Sequence, residues 1–313
     1  MREKLLLLPM SIVLASQGHA AIPEAIFNLY KNKNVHWTTE KIKSAVPMDA
    51  VEIHHRHYHH KTDPLQNHKQ STALSFDDKY RKRPRNTGGT PTKTNINVQP
   101  YKTAGKLFFS DDSGKSKYCS AQYIKSKNLL LTAGHCVRNA VTKKWYSHFI
   151  FYPRYANGPK DKSTGWLCAA TWSDYTKTIP GWSQNWGRDY AFIYTLSPSK
   201  NGYLGYKINS TEKFTTATGY PGNYEKGNYL MKMSGTQRRV SGSSVVEMRT
   251  NRMRSGNSGG AWIINIGENN TKGNHVTGIN SFHYANTPDS EFSPVFDKDF
   301  ITLMNFSNNK CVH

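Results

Sequence analysis

"NLLLTAGHC", Asn128 to Cys136, is an apolar run that ends in a small-residue turn and then delivers a histidine and a cysteine side by side. Short, apolar and closed by Ala133-Gly134, it reads as a strand. Runs of similar texture recur on both sides: "GKLFF" (105–109), "HFIFYPRY" (148–155), "DYAFIYTL" (189–196), "FTTATGYPG" (214–222), "SVVEMRT" (244–250), "AWIINIG" (261–267) and "HVTGINSF" (275–282). Short β-branched and aromatic segments separated by turn signals predict an antiparallel all-β domain built from barrels or sandwiches. One segment differs. "DKDFITLMNFSNN", Asp297 to Asn309, has apolar residues at Phe300, Ile301, Leu303, Met304 and Phe306, and this spacing predicts an amphipathic helix over about 297–309.

Upstream of these runs the chain changes character. "MREKLLLLPMSIVLASQGHA" carries Arg2 and Lys4, an apolar stretch from Leu5 to Ala15 and small residues at Gly18 and Ala20, the layout of a signal peptide over 1–20. That stretch is too short to cross a bilayer, and nothing later approaches the roughly 20 apolar residues a spanning helix needs. A secreted protein without a membrane span is expected. Residues 21–90 are polar, rich in His and Lys and short of sustained strands, and read as a mostly irregular pro-segment. Its centre, "HHRHYHH" with His54, His55, His57, His59 and His60, lacks the fixed ligand spacing and supporting shell of a catalytic metal site. "KYRKRPR", Lys79 to Arg85, reads as a processing site ahead of a domain over 91–313, with one barrel over about 101–200 and another over about 201–300.

A formal charge of +21 over 313 residues invites a nucleic-acid or anionic-surface reading. The dense basic run accompanies no helix-turn-helix, zinc-finger or RNA-binding signature, so specific nucleic-acid binding is not expected. Anionic surfaces remain expected partners of the basic pro-segment, and a monomer is expected. Four cysteines, Cys119, Cys136, Cys168 and Cys311, suit an oxidising compartment and allow three pairings. No CxxC pair occurs, and neither a metal nor a cofactor is expected.

"RSGNSGGAW", Arg254 to Trp262, sets Ser258 between Gly256-Asn257 and Gly259-Gly260. A serine hydroxyl is a weak nucleophile at neutral pH; it needs a general base and a group that orients the base. Of 13 histidines, those beyond the pro-segment are His135, His148, His275, His283 and His313. His135 stands out because it follows an apolar strand directly and adjoins Cys136. Asp189 opens the apolar run 189–196, where a carboxylate is costly to bury unless it accepts hydrogen bonds.

Taken in order, "LTAGHC", "DYAFI" and "GNSGG" resemble the chymotrypsin-like serine peptidases. With "GKLFF", "TAGHCV", "TGYPG" and "SGNSGG" the resemblance narrows to the exported branch that includes the V8-like glutamyl endopeptidases, over roughly Tyr101 to Phe300. It implies two six-stranded antiparallel β-barrels with a C-terminal helix. His135 would be the base, Asp189 its orienter and Ser258 the nucleophile, with the N–H groups of Gly256 and Ser258 as the oxyanion hole. It also implies a Cys119–Cys136 bridge beside the base, with Cys168 and Cys311 expected as the remaining pair. Substrate backbone would pair with the strand holding Ser281, Phe282 and His283, a β-augmentation, while Met253 and Asn280 belong to the pocket.

The pocket departs from known specificities. Glutamyl-specific members carry a histidine at the position of Asn280 and Ser or Thr at that of Met253, and a trypsin-like pocket has a carboxylate where Arg252 stands. Arg252 and Arg254 either favour an acidic side chain or face solvent. Asn257 replaces the aspartate that pairs with a new N-terminal amine in animal digestive zymogens, so that switch is not expected. The expectation is thus a secreted serine endopeptidase acting on polypeptides. The alternative is a catalytically silent relative whose basic surface binds polyanions, which would have no chemical need for His135, Asp189, Ser258 and Gly256 together.

Overall fold

The computed structural model describes residues 21–28, 36–49, 51–53, 89–177, 185–267, 273–285 and 287–311. The expected signal peptide, the histidine tract, the basic run 79–85 and His313 lie outside the described residues. In chain order the strands are β1 (Pro23–Phe27), β2 (Val46–Pro47), β3 (Val51–Ile53), β4 (Thr92–Lys93), β5 (Ala104–Ser110), β6 (Ser116–Tyr123), β7 (Leu129–Thr132), β8 (Ser147–Pro153), β9 (Thr164–Trp172), β10 (Ala191–Thr195), β11 (Gly205–Tyr206), β12 (Phe214–Gly219), β13 (Met231–Arg239), β14 (Val245–Arg249), β15 (Ala261–Ile264), β16 (His275–Ile279), β17 (Phe282–Tyr284) and β18 (Ser290–Pro294). Among the described residues two α-helices, α1 (Thr39–Ser44) and α2 (Lys298–Lys310), flank the strands.

The first barrel runs β9-β10-β7-β6-β5-β8 and closes through antiparallel pairing of β8 with β9. Closure removes free edges, and side chains such as Leu107, Ala121, Leu130, Phe151 and Ile193 fill the interior. The second sheet runs β15-β12-β13-β14-β18-β17. It returns on itself because β16 and β17 are two halves of one bent segment: β16 pairs with β15, and β17 with β18. The bend falls at Asn280-Ser281.

Each of the eight quoted runs contains a strand. Those that composition does not flag are β6, β9 and β13 among others, and β13 shows why. Its inward positions Met231, Met233, Gly235 and Gln237 alternate with Lys232, Ser234, Thr236 and Arg238, so half of a true period-2 pattern is polar and part of the buried half is too.

Helix α2 starts at Lys298 and ends at Lys310, the expected span shifted by one residue toward the C-terminus. The Asp297 side chain caps it by accepting the Asp299 N–H at 2.9 Å, a contact worth about 1 kcal/mol. Phe300, Leu303 and Met304 bury against the first barrel, where Phe300 meets Tyr190, Phe192 and Phe296. A Cys168–Cys311 disulfide then ties the helix end to β9, and Cys119–Cys136 ties β6 to the turn after β7.

The described part of the expected pro-segment has no sustained sheet of its own. Its short strands borrow partners: β1 adds to β9, β2 runs parallel to β6, and β3 runs parallel to β17. β4, at the head of the following domain, pairs with β13.

Candidate active site

Two neighbouring strands bring His135 and Asp189 together. β10 pairs antiparallel with β7, Ala191 opposite Thr132, so the loop leaving β7 and the loop entering β10 emerge at one end of the barrel. A tight turn, Gly134–Cys136, carries His135, and the disulfide to Cys119 anchors that turn. Asp189 follows a second tight turn, Trp186–Arg188, and is fully buried. Its Oδ1 accepts the backbone N–H of His135 at 2.8 Å, while Oδ2 faces His135 Nδ1 at 2.9 Å. The Ser281 hydroxyl donates to the same Oδ2. Three donors thus surround one buried carboxylate, which meets the condition for burying a charge. With Nδ1 carrying the proton toward Asp189, Nε2 keeps its lone pair and is free to act as a base.

Ser258 reaches this pair through β6. Its carbonyl accepts the Ser120 N–H at 2.9 Å and lies 3.9 Å from Cys136 Sγ, while Ser120 Oγ donates to Gly256 O at 2.9 Å. Two of the flanking glycines have physical reasons. Gly256 sits at φ +88°, and a Cβ on Gly260 would lie 1.9 Å from Thr218 O. His135 Nε2 has no hydrogen-bond partner among the described residues, so the link from Ser258 Oγ to the base is open in this state. Such links commonly tighten only with substrate bound.

The cleft is not empty. Met48 donates its N–H to Tyr118 O at 2.8 Å, and its carbonyl accepts the Gly256 N–H at 2.9 Å. Beyond it Val51, Glu52 and Ile53 pair in parallel with Phe282, His283 and Tyr284, and the Ala285 N–H reaches Ile53 O at 3.2 Å. Ser258 and His135 are accordingly only 2% and 4% exposed. Sequence reading did not single out this stretch. The available signal was β-branched Val46, Val51 and Ile53 inside an otherwise polar segment.

The expected substrate-contacting residues divide. Asn280 is spent within the protein: Nδ2 donates to Thr218 O and Asn257 O, and Oδ1 accepts from Asn251 Nδ2 and Trp262 Nε1. Ser281 serves Asp189. Met253 is buried among Met231, Met233, Met248 and Trp262. The Phe282 ring packs on Phe292 and Trp186, so β17 offers its backbone to a bound chain. Phe282 and His283 are the two whose backbone faces β3.

The two arginines differ. Arg254 is tied to Glu291 at 3.1 Å and to the carbonyls of Asn251, Met253 and Pro288, whereas the Arg252 side chain stays 38% exposed and pairs with Asp289 at 2.7 Å. Asn257 donates to Met253 O at 2.9 Å and so braces the same loop. Burial pushes the Glu291 carboxyl up, and Arg254 pulls it back down. Arg254→Met removes the cation that favours the charged form of Glu291 and should cost about 3 kcal/mol once the pH is high enough to ionise the wild-type carboxyl. With its pKa above the unfolded value of about 4.3, Glu291 holds a proton in the folded state that the unfolded chain releases, so stability falls as pH rises. The variant's deficit in thermal unfolding should be smaller at pH 5 than at pH 8; equal deficits would exclude Glu291 as its source.

A buried lysine lies beside the cleft. Lys106 Nζ sits 3.6 Å from the centre of the Tyr118 ring and 4.7 Å from that of Tyr155, and burial lowers its pKa to about 7.

No protein-family model matches the sequence, and no curated protein matches it. Solved structures do. A thermostable serine protease from an extremophilic microorganism is 24% identical, with a TM-score of 0.53 over 66% of this chain and 96% of its own. A protease from Arthrobacter nicotinovorans is 23% identical, with a TM-score of 0.55 over 70% and 97%. A Glu endopeptidase solved with MPD is 22% identical, with a TM-score of 0.58 over 72% and 99%. At these identities the likeness is one of fold, and the fold is that of the chymotrypsin-like serine proteases. Among the described residues, no helix is long and apolar enough to cross a membrane.

Proposed function

We propose that the chain is a secreted serine endopeptidase, made as a precursor, with Ser258 as nucleophile, His135 as general base and Asp189 as its orienter. The observation that carries this reading is the buried Asp189 carboxylate, held by the His135 backbone, the His135 ring and the Ser281 hydroxyl. A core needs no such cluster; a base that must keep one tautomer does.

In the proposed reaction Ser258 Oγ attacks a peptide carbonyl while its proton passes to His135 Nε2. The N–H groups of Gly256 and Ser258 receive the developing oxyanion. His135 then protonates the departing amine, and the acyl-enzyme is hydrolysed by a water that the same imidazole deprotonates. Polypeptides are the substrate class, supported by the activities named for the structural relatives. Glutamyl specificity is not carried over, because Met253 and Asn280 differ from that pattern and Arg252 and Arg254 are committed elsewhere. Activation proceeds without an ion pair at Asn257, through removal of residues that cover the cleft.

The test is covalent. After cleavage in the segment 54–88, a fluorophosphonate should label the chain at one residue, identified as Ser258 by peptide mass. A folded, processed chain that resists labelling and hydrolyses no peptide in a diverse library would support the silent polyanion-binding alternative.

A further inference from the structure

Residues 46–49 and 51–53 make the contacts a bound peptide would make, but with a polarity of their own. The chain enters beside β6, turns its Met48 carbonyl onto the Gly256 N–H, and leaves along β17 in parallel register. We propose that residues 36–53 are an intramolecular inhibitor that crosses the cleft in the non-productive direction and continues to bind as a separate chain once the connection through 54–88 is cut. This rests on the peptidase reading above and assigns a function to the N-terminal segment.

The polarity argument is chemical. A peptide bond is cut only if its carbonyl oxygen sits in the oxyanion hole while its amide nitrogen faces the imidazole that must protonate it. Reversing the chain moves that nitrogen to the other side of the carbonyl, so a cleft with one base works on one polarity. Met48 O takes the Gly256 N–H alone among the hydrogen bonds of the described residues, and His135 Nε2 stays unpartnered. Half of the hole is filled and no leaving group is offered to the base.

Anchors outside the cleft hold the segment there. The Trp37 indole donates to His148 O at 2.5 Å, and its ring packs near Phe108. The His36 ring stacks on His148 with centroids 3.8 Å apart, and its Nε2 lies 2.9 Å from Ser110 Oγ. Asp49 pairs with Lys117 at 3.3 Å.

The stacked histidines make the anchor sensitive to pH. Burial first, then the charge of His148 and that of Lys41 on α1, hold His36 low; burial and Lys41 hold His148 low. Ser110, Ser147 and Trp37, the other partners, carry no charge. An imidazole whose docked pKa lies below its free value of about 6.5 resists protonation in place, so docking is at full strength above that pH and weakens below it.

The experiment uses the chain from Ala21 with one engineered cleavage site between residues 54 and 88. The intact chain should react with a fluorophosphonate at least tenfold more slowly than the cleaved and diluted one. A synthetic peptide of residues 36–53 should restore the slow rate and be recovered uncut. Met48→Pro, which removes the N–H given to Tyr118, should raise labelling of the intact chain about tenfold while cooperative unfolding is retained. In cleaved Ser258→Ala protein, which needs no catalysis, the peptide should protect the amides of 282–284 from exchange and bind at least tenfold more weakly at pH 5.5 than at pH 7.5. A His36→Phe peptide should lose part of that pH dependence.

A cut between Val46 and Ile53, or full-rate labelling of the intact wild-type chain, overturns the inhibitor and leaves the peptidase reading standing. Protection of 282–284 in Ser258→Ala with no labelling of any processed wild-type form would instead support docking and overturn the peptidase reading.

Discussion

Ser258→Ala is expected to abolish labelling by a fluorophosphonate and to lower peptide hydrolysis by the processed chain roughly 10⁴–10⁶-fold, about 5–8 kcal/mol of transition-state stabilisation. In the proposed mechanism removing Oγ deletes the bond-forming atom, and no neighbouring hydroxyl replaces it: Ser281 is spent on Asp189 and Ser120 on Gly256. The fold should not notice. Ser258 contributes its backbone to the structure, with its carbonyl on the Ser120 N–H. The thermal unfolding midpoint should therefore stay close to wild type, while kcat, and not KM, carries the loss. Equal hydrolysis by both proteins would remove Ser258 from the reaction.

Asp189→Asn should cost about 10⁴-fold in kcat with a much smaller change in stability, by a different route. The carboxylate accepts from the His135 N–H through Oδ1, and faces both His135 Nδ1 and the Ser281 hydroxyl through Oδ2. An amide of the same shape has one oxygen for these donors. If that oxygen keeps the backbone N–H, its NH₂ faces Nδ1, which must then accept. The ring proton is driven to Nε2, and the base is lost although no atom has moved far. Steady-state kinetics with parallel thermal unfolding checks this. A processed Asp189→Asn enzyme with kcat within tenfold of wild type would show that the carboxylate does not set the imidazole tautomer.

How legible each part was in the sequence follows from the range of the interaction that makes it. β7 and β10 are short apolar strands recognisable in isolation, and His135 and Asp189 stand at their ends, so naming the two required no knowledge of their contact. α2 was visible for the same local reason. β13 was not, because its inward face includes Gly235 and Gln237, residues that gain their burial only from β12 and β14. The resemblance places Asn280 in the substrate pocket and Ser281 on the substrate-pairing strand. Asn280 is instead hydrogen-bonded on every side within the protein, and Ser281 holds the carboxylate. Arg254 looked available to a ligand; Glu291, 37 positions further along the chain, takes it up.

Residues 46–53 show the limit most clearly. Nothing in "VPMDAVEI" names a partner, since apart from the Asp49–Lys117 pair it is placed by backbone hydrogen bonds to β6, Gly256 and β17, and backbone groups are the same in every residue but proline. Local pattern alone was enough to identify an all-β chain carrying a serine, a histidine and an aspartate in the order of a known peptidase fold. Only the tertiary structure decided that three donors close around Asp189, that the arginines beside the serine are already paired, and that the N-terminal segment lies across the cleft. Those outcomes depend on groups that are distant in sequence, and apposition of distant groups is set by how the strands pair, which no single stretch encodes.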